Sequence, residues 1–419
     1  MYQRTLNKAL LKISQNFPVL LLTGPRQVGK TTLLQSCSEK EEKGRVYITL
    51  DDVEMRTLAK EEPSLFIKSY PPPLIIDEIQ YAPELLSYIK IAIDQSQENG
   101  MYWLTGSQKF HLMDGIQESL AGRVAVLDLL GLSQQELYYQ GTLSQPFSPS
   151  SIWIEEAATK YRNTQLQNAP NSSETLQKVY EQIWLGSFPR VHNQDPSVRD
   201  IFYKSYIQTY IQRDIRDILN INNENTFYKF LGAVAARTGQ LLNYADLARD
   251  VDVDNKTVKS WLSALETSGL VYLLRPYYNN RTKRLVKAPK LYFLDTGLCT
   301  YLTKWTTAES LEIGAMSGAI LETYILGEIL KSYWHNGIES HFYYYRDSNQ
   351  KEIDLLIETG DTLYPLEFKK TASPSKKASK NFHLAEGLGK ELGMGGVVCL
   401  VDKHIPLSQT VMAIPVAYL

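Results

Sequence analysis

The sequence predicts an α/β chain of several domains, opening on a parallel sheet flanked by helices and closing on a second α/β fold. Three observations predict this. Short apolar runs alternate with helical patterns between residues 18 and 130; a glycine-bearing turn follows the first run; and strand-like runs return after residue 340. The length of 419 residues exceeds what one hydrophobic core organises, so two or three domains are expected.

Composition narrows the class. Apolar residues make up 43% and charged residues 21%, a globular balance rather than a disordered one. A net charge of -2 gives no overall attraction to nucleic acid, so any basic surface must be local. Cys37, Cys299 and Cys399 lie too far apart for zinc-type spacing or a disulfide framework, which fits a reducing cytoplasm. The N-terminus has no signal-type apolar region, and no apolar run approaches the roughly 18 residues needed to span a bilayer. A cytoplasmic protein with no membrane partner is expected.

Strands are expected at residues 18–23, 45–50, 73–77, 101–105 and 123–129, with helices between them. Such runs are nearly continuous in hydrophobicity, as parallel strands buried on both faces require. Between the first strand and a helix from about Lys30 stands Gly24-Pro25-Arg26-Gln27-Val28-Gly29-Lys30-Thr31, followed by Thr32. This is the G-x-x-x-x-G-K-[ST] pattern of a P-loop in its proper strand-to-helix context. The glycines let backbone N–H groups turn toward phosphates at a helix N-terminus. Lys30 is expected to reach the β- and γ-phosphates of ATP, and Thr31 to ligate Mg²⁺.

The second half of such a site is an acid at the end of a neighbouring strand. Leu74-Ile75-Ile76-Asp77-Glu78 supplies it, with Asp77 assigned to the Mg²⁺ shell and Glu78 to the attacking water as general base. An acidic pair also ends many strands in solvent, so pairing with the P-loop is what gives these two meaning. Ser107 ends the fourth strand, where it either senses the γ-phosphate or forms an ordinary turn. Arg123 starts the fifth and is either a finger residue or plain surface charge.

Residues 24–31, 74–80, 104–107 and 119–123 together resemble an AAA+-type ATPase domain. The subgroup resembled is that of bacterial and archaeal ATPases joined to a C-terminal domain of unknown function. The likeness continues through residues 186–190, 210–214 and 290–297, and so spans nearly the whole chain. It implies ATP binding and leaves the substrate open.

The middle of the chain reads as helical from residue 173 to about 220. Residues 243–251 and 255–267 form two helices around a turn at 252–254, with Val258, Leu262 and Leu265 on one face and Gly269 as a C-terminal cap. Strand-like runs at 270–274 and 290–294, around a turn at 278–281, complete a winged helix-turn-helix pattern. Its basic residues are Lys256, Lys259, Arg275, Arg281, Lys283, Arg284, Lys287 and Lys290, with Glu266 the lone acid between the first and last of them. Two readings stand: phosphate contacts on double-stranded DNA, or packing against other domains.

The last hundred residues predict a helix around Glu322 and strands at 340–346, 352–358, 363–368 and 396–401. Glu367 and Lys369, two apart, project from one sheet face, and Asp354 on the adjacent strand can meet them. Two carboxylates, Asp354 and Glu367, would hold a divalent metal, and Lys369 would help activate water for phosphodiester attack. Glu322, Asp354, Glu367 and Lys369 resemble the PD-(D/E)XK nuclease superfamily. The competing reading is a structural ion pair on a surface strand. Lys370, Lys376, Lys377 and Lys380 either guide a phosphate backbone or form a solvated loop. The six histidines show no metal-ligand spacing.

The expected division is an ATPase domain at 1–143, a helical linker at 144–225, a winged helix at 226–305 and a nuclease-like domain at 306–419. The function expected is Mg²⁺-dependent ATP hydrolysis coupled to a DNA-associated, nuclease-like C-terminal module. The alternative is a nucleotide-dependent switch that binds a protein partner on an inactive platform. If Arg123 serves a neighbouring subunit, the active form is a homo-oligomer; if it acts in cis, a monomer suffices.

Overall fold

The structure is a computed structural model and describes residues 2–41, 44–107, 115–116, 119–138, 145–165, 172–209, 224–278 and 287–419. By compactness the chain divides into two units. The first holds residues 1–131, 267–269 and 334–338; the second holds 132–266, 270–333 and 339–419.

In the first unit, α1 (Leu6–Ser14), β1 (Val19–Thr23), α2 (Lys30–Ser38) and β2 (Val46–Thr49) come first. They are followed by α3 (Val53–Glu61), α4 (Pro63–Ser69), β3 (Leu74–Asp77), α5 (Leu85–Ser96), β4 (Tyr102–Gly106) and β5 (Val124–Asp128). Every expected strand forms, each within one residue of its expected limits. They build a five-stranded sheet in the order β2-β3-β4-β1-β5, parallel throughout. Strands β1, β3 and β4 are buried at every position, while the edge strands β2 and β5 are partly exposed. That is the burial a helix-covered parallel sheet imposes, and each fully buried Leu or Ile stabilises it by about 1.5–3 kcal/mol. Because the strands are parallel, Thr23, Asp77 and Gly106 end on the same edge of the sheet. The chemistry gathers at that edge.

The second unit opens with α6 (Gln134–Tyr138), α7 (Ser151–Gln165), α8 (Ser172–Leu185), α9 (Pro189–His192), α10 (Arg199–Tyr206) and α11 (Glu224–Ala235). Then come β6 (Gln240–Leu241), α12 (Tyr244–Val251), α13 (Asn255–Thr267), β7 (Val271–Pro276), β8 (Lys290–Phe293), α14 (Thr296–Leu302), α15 (Ala308–Ile313) and α16 (Ser317–Trp334). The end of the chain forms β9 (Phe342–Arg346), β10 (Glu352–Thr359), β11 (Thr362–Lys369), β12 (Glu391–Leu392), β13 (Gly395–Cys399), β14 (Ile405–Pro406) and β15 (Val411–Pro415).

The two helices expected at 243–251 and 255–267 are present as α12 and α13. Asn243 caps α12, accepting from the Ala245 and Asp246 N–H groups at 3.0 and 3.3 Å. Helix α13 buries Val258, Trp261, Leu262 and Leu265 on one face. Strands β7 and β8 pair antiparallel, with Leu273 opposite Leu291. The expected turn at 278–281 lies outside the described residues apart from Tyr278, as do Arg281, Lys283 and Arg284. Residues 210–214, part of the family likeness, lie outside them as well.

Sheet pairing in this unit runs in the order β14-β15-β13-β11-β10-β9-β7-β8-β6, with β12 alongside β11. Arg275 of β7 lies opposite Tyr343 of β9 in a parallel pair. The strands at 271–293 and those at 342–415 therefore form one sheet. Strand β15 was not expected from the sequence; its run is short and sits beside a proline at the chain end.

The motifs at 186–190 and 290–297 meet in the interior of this unit. Asp295 accepts from the Ser187 N–H and hydroxyl at 2.7 and 2.8 Å, from the Tyr203 hydroxyl at 2.9 Å and from the Leu298 N–H at 2.6 Å. A Cβ on Gly297 would stand 2.0 Å from the Tyr203 hydroxyl oxygen, so only glycine fits. These motifs are packing elements. Among the described residues, no helix is long and apolar enough to cross a membrane.

Candidate functional site

The turn between β1 and α2 is built by its glycines. Gly24 has φ 137°, and a Cβ there would lie 2.1 Å from the Leu129 carbonyl oxygen. Gly29 (φ 95°) starts α2 in the left-handed region, and Gln27 (φ 63°) shares that region. The Lys30 ammonium is folded over the turn, donating to the carbonyls of Gly24 and Pro25, both at 2.9 Å. Pro25 and Val28 are buried, Arg26 and Thr31 half-buried, and Gln27 and Thr32 exposed.

Asp77 is 5% exposed at the end of β3 and receives three hydroxyls. Thr31 donates to Oδ1 at 2.9 Å, Thr105 to Oδ1 at 2.5 Å, and Tyr47 to Oδ2 at 2.8 Å. Burial and the Asp77 carboxylate hold the Tyr47 phenol well above its usual range, so it remains a donor. Glu78 is left-handed at φ 58°, ψ 48°, a conformation a non-glycine residue keeps only when its surroundings enforce it. The enforcing contact is its N–H, which donates to Thr105 Oγ1 at 3.0 Å. The Glu78 carboxylate accepts from Gln80 Nε2 and from Ser107 Oγ at 3.4 Å. Ser107, the residue after β4, thus meets Glu78; Gln108 lies outside the described residues.

The residues present fit Mg²⁺ and a nucleotide phosphate. A threonine hydroxyl and a buried carboxylate oxygen converge at 2.9 Å, and backbone turned by Gly24 and Gly29 precedes an α-helix whose first residue is Lys30. Tyr47, Thr105 and Gln80 were absent from the expected site. So was Arg4, whose guanidinium donates to the Val28 carbonyl within the turn at 2.8 Å and to the Leu130 carbonyl at 2.7 Å. An apolar strand on either side of a polar residue is the signal that could have found Tyr47 and Thr105; nothing near Arg4 in the sequence marks it.

Arg123 is placed elsewhere. It precedes Val124, which pairs with Val19 at the start of β1, whereas the glycine turn follows Thr23. At about 3.3 Å per residue, roughly 15 Å of strand separates the two ends. Its guanidinium pairs with Asp94 at 2.8 Å, with both side chains partly exposed. The structure therefore does not bring Arg123 to the P-loop of its own chain.

The C-terminal quartet is brought together. Leu355 pairs with Leu366, setting Asp354 beside Glu367, and Lys369 Nζ donates to Glu367 Oε1 at 2.5 Å. Glu322, on α16, accepts from the Tyr292 hydroxyl at 2.6 Å and from Lys290 Nζ at 3.1 Å. Lys290 is a correction to the sequence reading. Placed there among surface cations for DNA, it is 4% exposed and lies 2.5 Å from Glu352 Oε1 and 3.9 Å from Asp354 Oδ1. Burial alone would depress its pKa, but Glu322, Asp354 and Glu352 hold it above the usual lysine range.

The acids respond to the same crowding. Asp354 is pushed up to about 8, first by burial and then by the Glu322 and Glu367 charges. Glu367 is raised by burial, against the pull of Lys369. The Phe368 N–H donates to Asp354 Oδ2 at 2.9 Å, and Glu367 Oε2 is buried without a partner. Among the described residues, no group of three or more His, Cys, Asp or Glu side chains is placed to hold a metal ion. As placed, with Lys290 among its acids, the quartet does not form a three-ligand metal centre.

Lys256, Lys259 and Lys287 are exposed and Arg275 is half-buried. Lys376, Lys377 and Lys380 are exposed, while Lys370 is hydrogen-bonded to the Glu312 carbonyl. His335 accepts from the Leu130 N–H at 3.2 Å, and His192 contacts the Gly186 carbonyl at 2.8 Å, both packing roles. The three cysteines are buried and free.

Three family models match successive segments of this chain. Residues 16–138 match a family model described as an AAA domain. Residues 176–309 and 317–419 match two models, each described as a domain of unknown function. An uncharacterised protein of Mycobacterium tuberculosis is 28% identical over 399 residues, covering 95% of this chain and 80% of that one. An uncharacterised protein of Mycobacterium bovis aligns with the same figures of 28%, 95% and 80%. Among solved structures, the RuvB Holliday junction branch migration motor of Thermotoga maritima has 18% identity and a TM-score of 0.30, covering 65% of this chain and 89% of its own. AMPPCP-bound DnaA from Aquifex aeolicus has 16% identity and a TM-score of 0.25, covering 62% and 85%. The chain is thus an α/β protein whose P-loop segment is similar to an AAA domain and whose remainder is similar to two domains of unknown function.

Proposed function

We propose that this protein is a Mg²⁺-dependent ATPase whose nucleotide cycle governs a DNA-associated C-terminal module. The observation that carries the reading is the convergence of the Thr31 hydroxyl, the Asp77 carboxylate and the Glu78 carboxylate at one edge of the parallel sheet. Mg²⁺, when bound by Thr31 and Asp77, would neutralise phosphate charge. Lys30 would exchange its two turn carbonyls for the β- and γ-phosphate oxygens. Glu78 would accept the proton of the attacking water, with Gln80 and Ser107 fixing its carboxylate. Arg123, too far from its own P-loop, would serve the nucleotide of a second copy, making the active form a homo-oligomer. Three free cysteines suit a cytoplasmic setting.

The DNA part of the reading is supported by α12, α13 and the β7–β8 pair in winged helix-turn-helix order, with Lys256, Lys259 and Lys287 exposed. The test is ATP turnover with and without duplex DNA, on the wild type and on Lys30→Ala. Stimulation by DNA that is lost in Lys30→Ala supports the proposal. A purified protein with no duplex affinity even at low salt removes the DNA half of it.

One observation favours a second reading of the C-terminal half, as an inactive nuclease-like platform for a protein partner. It is the burial of Lys290 among the acids. Metal-dependent cleavage by the wild type, abolished by Asp354→Ala and by Lys369→Ala, would reject that reading.

A further inference from the structure

The acid cluster of the second unit already contains a cation. The Lys290 ammonium arrives from β8 and approaches Glu322 of α16 (3.1 Å), Glu352 of β10 (2.5 Å) and Asp354 of the same strand (3.9 Å). Its side chain is 5% exposed, so these carboxylates, rather than water, compensate the charge. Three carboxylate oxygens that could face a divalent metal are committed. Glu322 Oε1 takes both Lys290 and Tyr292. Asp354 Oδ2 takes the Phe368 N–H, and Glu367 Oε1 takes Lys369. Glu367 Oε2 is the buried carboxylate oxygen of this triad left without a partner. Asp354 Oδ1 faces the Lys290 ammonium at 3.9 Å, so a hard cation, which needs six or more oxygens around it, would compete with Lys290 for this oxygen.

We propose that Lys290 is the resident cation of this cluster, filling the place a divalent metal would take, and that the cluster is a closed joint between β8, α16 and the β10–β11 pair. Four carboxylates (Glu322, Glu352, Asp354, Glu367) face three cations, Lys290, Lys369 and Arg346, the last of which lies 3.8 Å from Glu352. That count leaves a single net negative charge, too little to compensate an added divalent ion unless Lys290 leaves. The inference deepens the platform reading of the C-terminal half and rests on it; it does not depend on whether the P-loop hydrolyses ATP.

The test reads metal binding rather than activity. Full-length, nucleotide-free protein carrying Asp77→Asn, which silences the P-loop site, is titrated with Mn²⁺ and followed by electron paramagnetic resonance of free Mn²⁺ and by thermal unfolding. With Lys290 intact, Asp354→Asn should leave the Mn²⁺ response unchanged. Lys290→Ala should gain a bound Mn²⁺, seen as a rise in unfolding temperature with Mn²⁺ concentration, and Asp354→Asn added to it should abolish the gain. Lys290→Gln, which keeps chain length and a donor, is the second variant should the alanine protein fold poorly. Mn²⁺ bound in the presence of Lys290 and lost with Asp354→Asn would overturn the proposal. So would folded Lys290 variants that gain no Mn²⁺, or variants that fail to fold even with Mn²⁺ supplied. DNA cleavage assays on the same proteins report separately on the platform reading: an intact Lys290 protein that cleaves DNA without binding Mn²⁺ at Asp354 defeats that reading and leaves Lys290 as the resident cation.

Discussion

The Thr31 hydroxyl donates to Asp77 Oδ1 at 2.9 Å, joining the first turn of α2 to the end of β3. Helix α2 follows β1, and in the sheet β4 lies between β1 and β3. Thr105 of β4 and Ser107 just after it fill the gap with hydroxyls aimed at Asp77 and Glu78.

Glu78 is the expected general base. Glu78→Gln should keep nucleotide affinity and lower steady-state turnover by about 10²–10⁴-fold, the usual contribution of a positioned base. Phosphate release and fluorescent-nucleotide binding, measured on one preparation, check both halves. Unaltered turnover would remove Glu78 from this role.

Tyr47 donates to Asp77 Oδ2 from the edge strand β2. Tyr47→Phe should cost about 1 kcal/mol of stability, the net worth of one hydrogen bond. It should also raise the Mg²⁺ concentration needed for half-maximal turnover, with turnover at saturating Mg²⁺ largely restored. A Mg²⁺ titration of ATPase activity decides it, because a purely structural tyrosine would leave the midpoint in place.

Gly24→Ala should abolish ATP binding and destabilise the first unit. A Cβ would sit 2.1 Å from the Leu129 carbonyl oxygen at φ 137°. Overpacking and backbone strain each cost about 1–3 kcal/mol. Gly29→Ala meets only the Arg4 side chain, at 3.9 Å, and should be milder. Denaturant unfolding of both variants tests the ranking.

His192 offers a pH-dependent check on the second unit. Burial holds its pKa below the usual histidine value, against the hydrogen bond to the Gly186 carbonyl. A depressed pKa means the unfolded chain binds the proton first. The contribution is therefore fully present above about pH 6.5 and is lost as pH falls toward the depressed value. His192→Gln should flatten that part of the stability–pH curve, measured by denaturant unfolding between neutral and acidic pH; an unchanged slope would assign it to other groups.

What was legible in the sequence was local. The glycine turn, Lys30 and Thr31 form a contiguous run, and the apolar strands beside it are unmistakable because parallel strands bury both faces. Glu367 and Lys369 were legible for the same reason, being two apart on one strand. Tyr47 and Thr105 were not, since they reach Asp77 across 30 and 28 residues. Arg4 reaches Leu130 across 126. Lys290 misled because its sequence neighbours are basic, whereas its spatial neighbours are acids brought in by α16 and β10. Within the motifs at 186–190 and 290–297, Ser187 and Asp295 hold each other in the interior.

The parallel pairing of Arg275 with Tyr343 has a consequence for inheritance. A recombination breakpoint anywhere between residues 310 and 316 would look harmless on the linear chain, yet it would strip β9 of a neighbour and separate Lys290 from every acid that neutralises it. The downstream half would then keep four crowded carboxylates with two of their cations, and the upstream half a charged lysine facing an exposed strand. The helix–hairpin region and the terminal sheet must therefore travel through evolution as one piece.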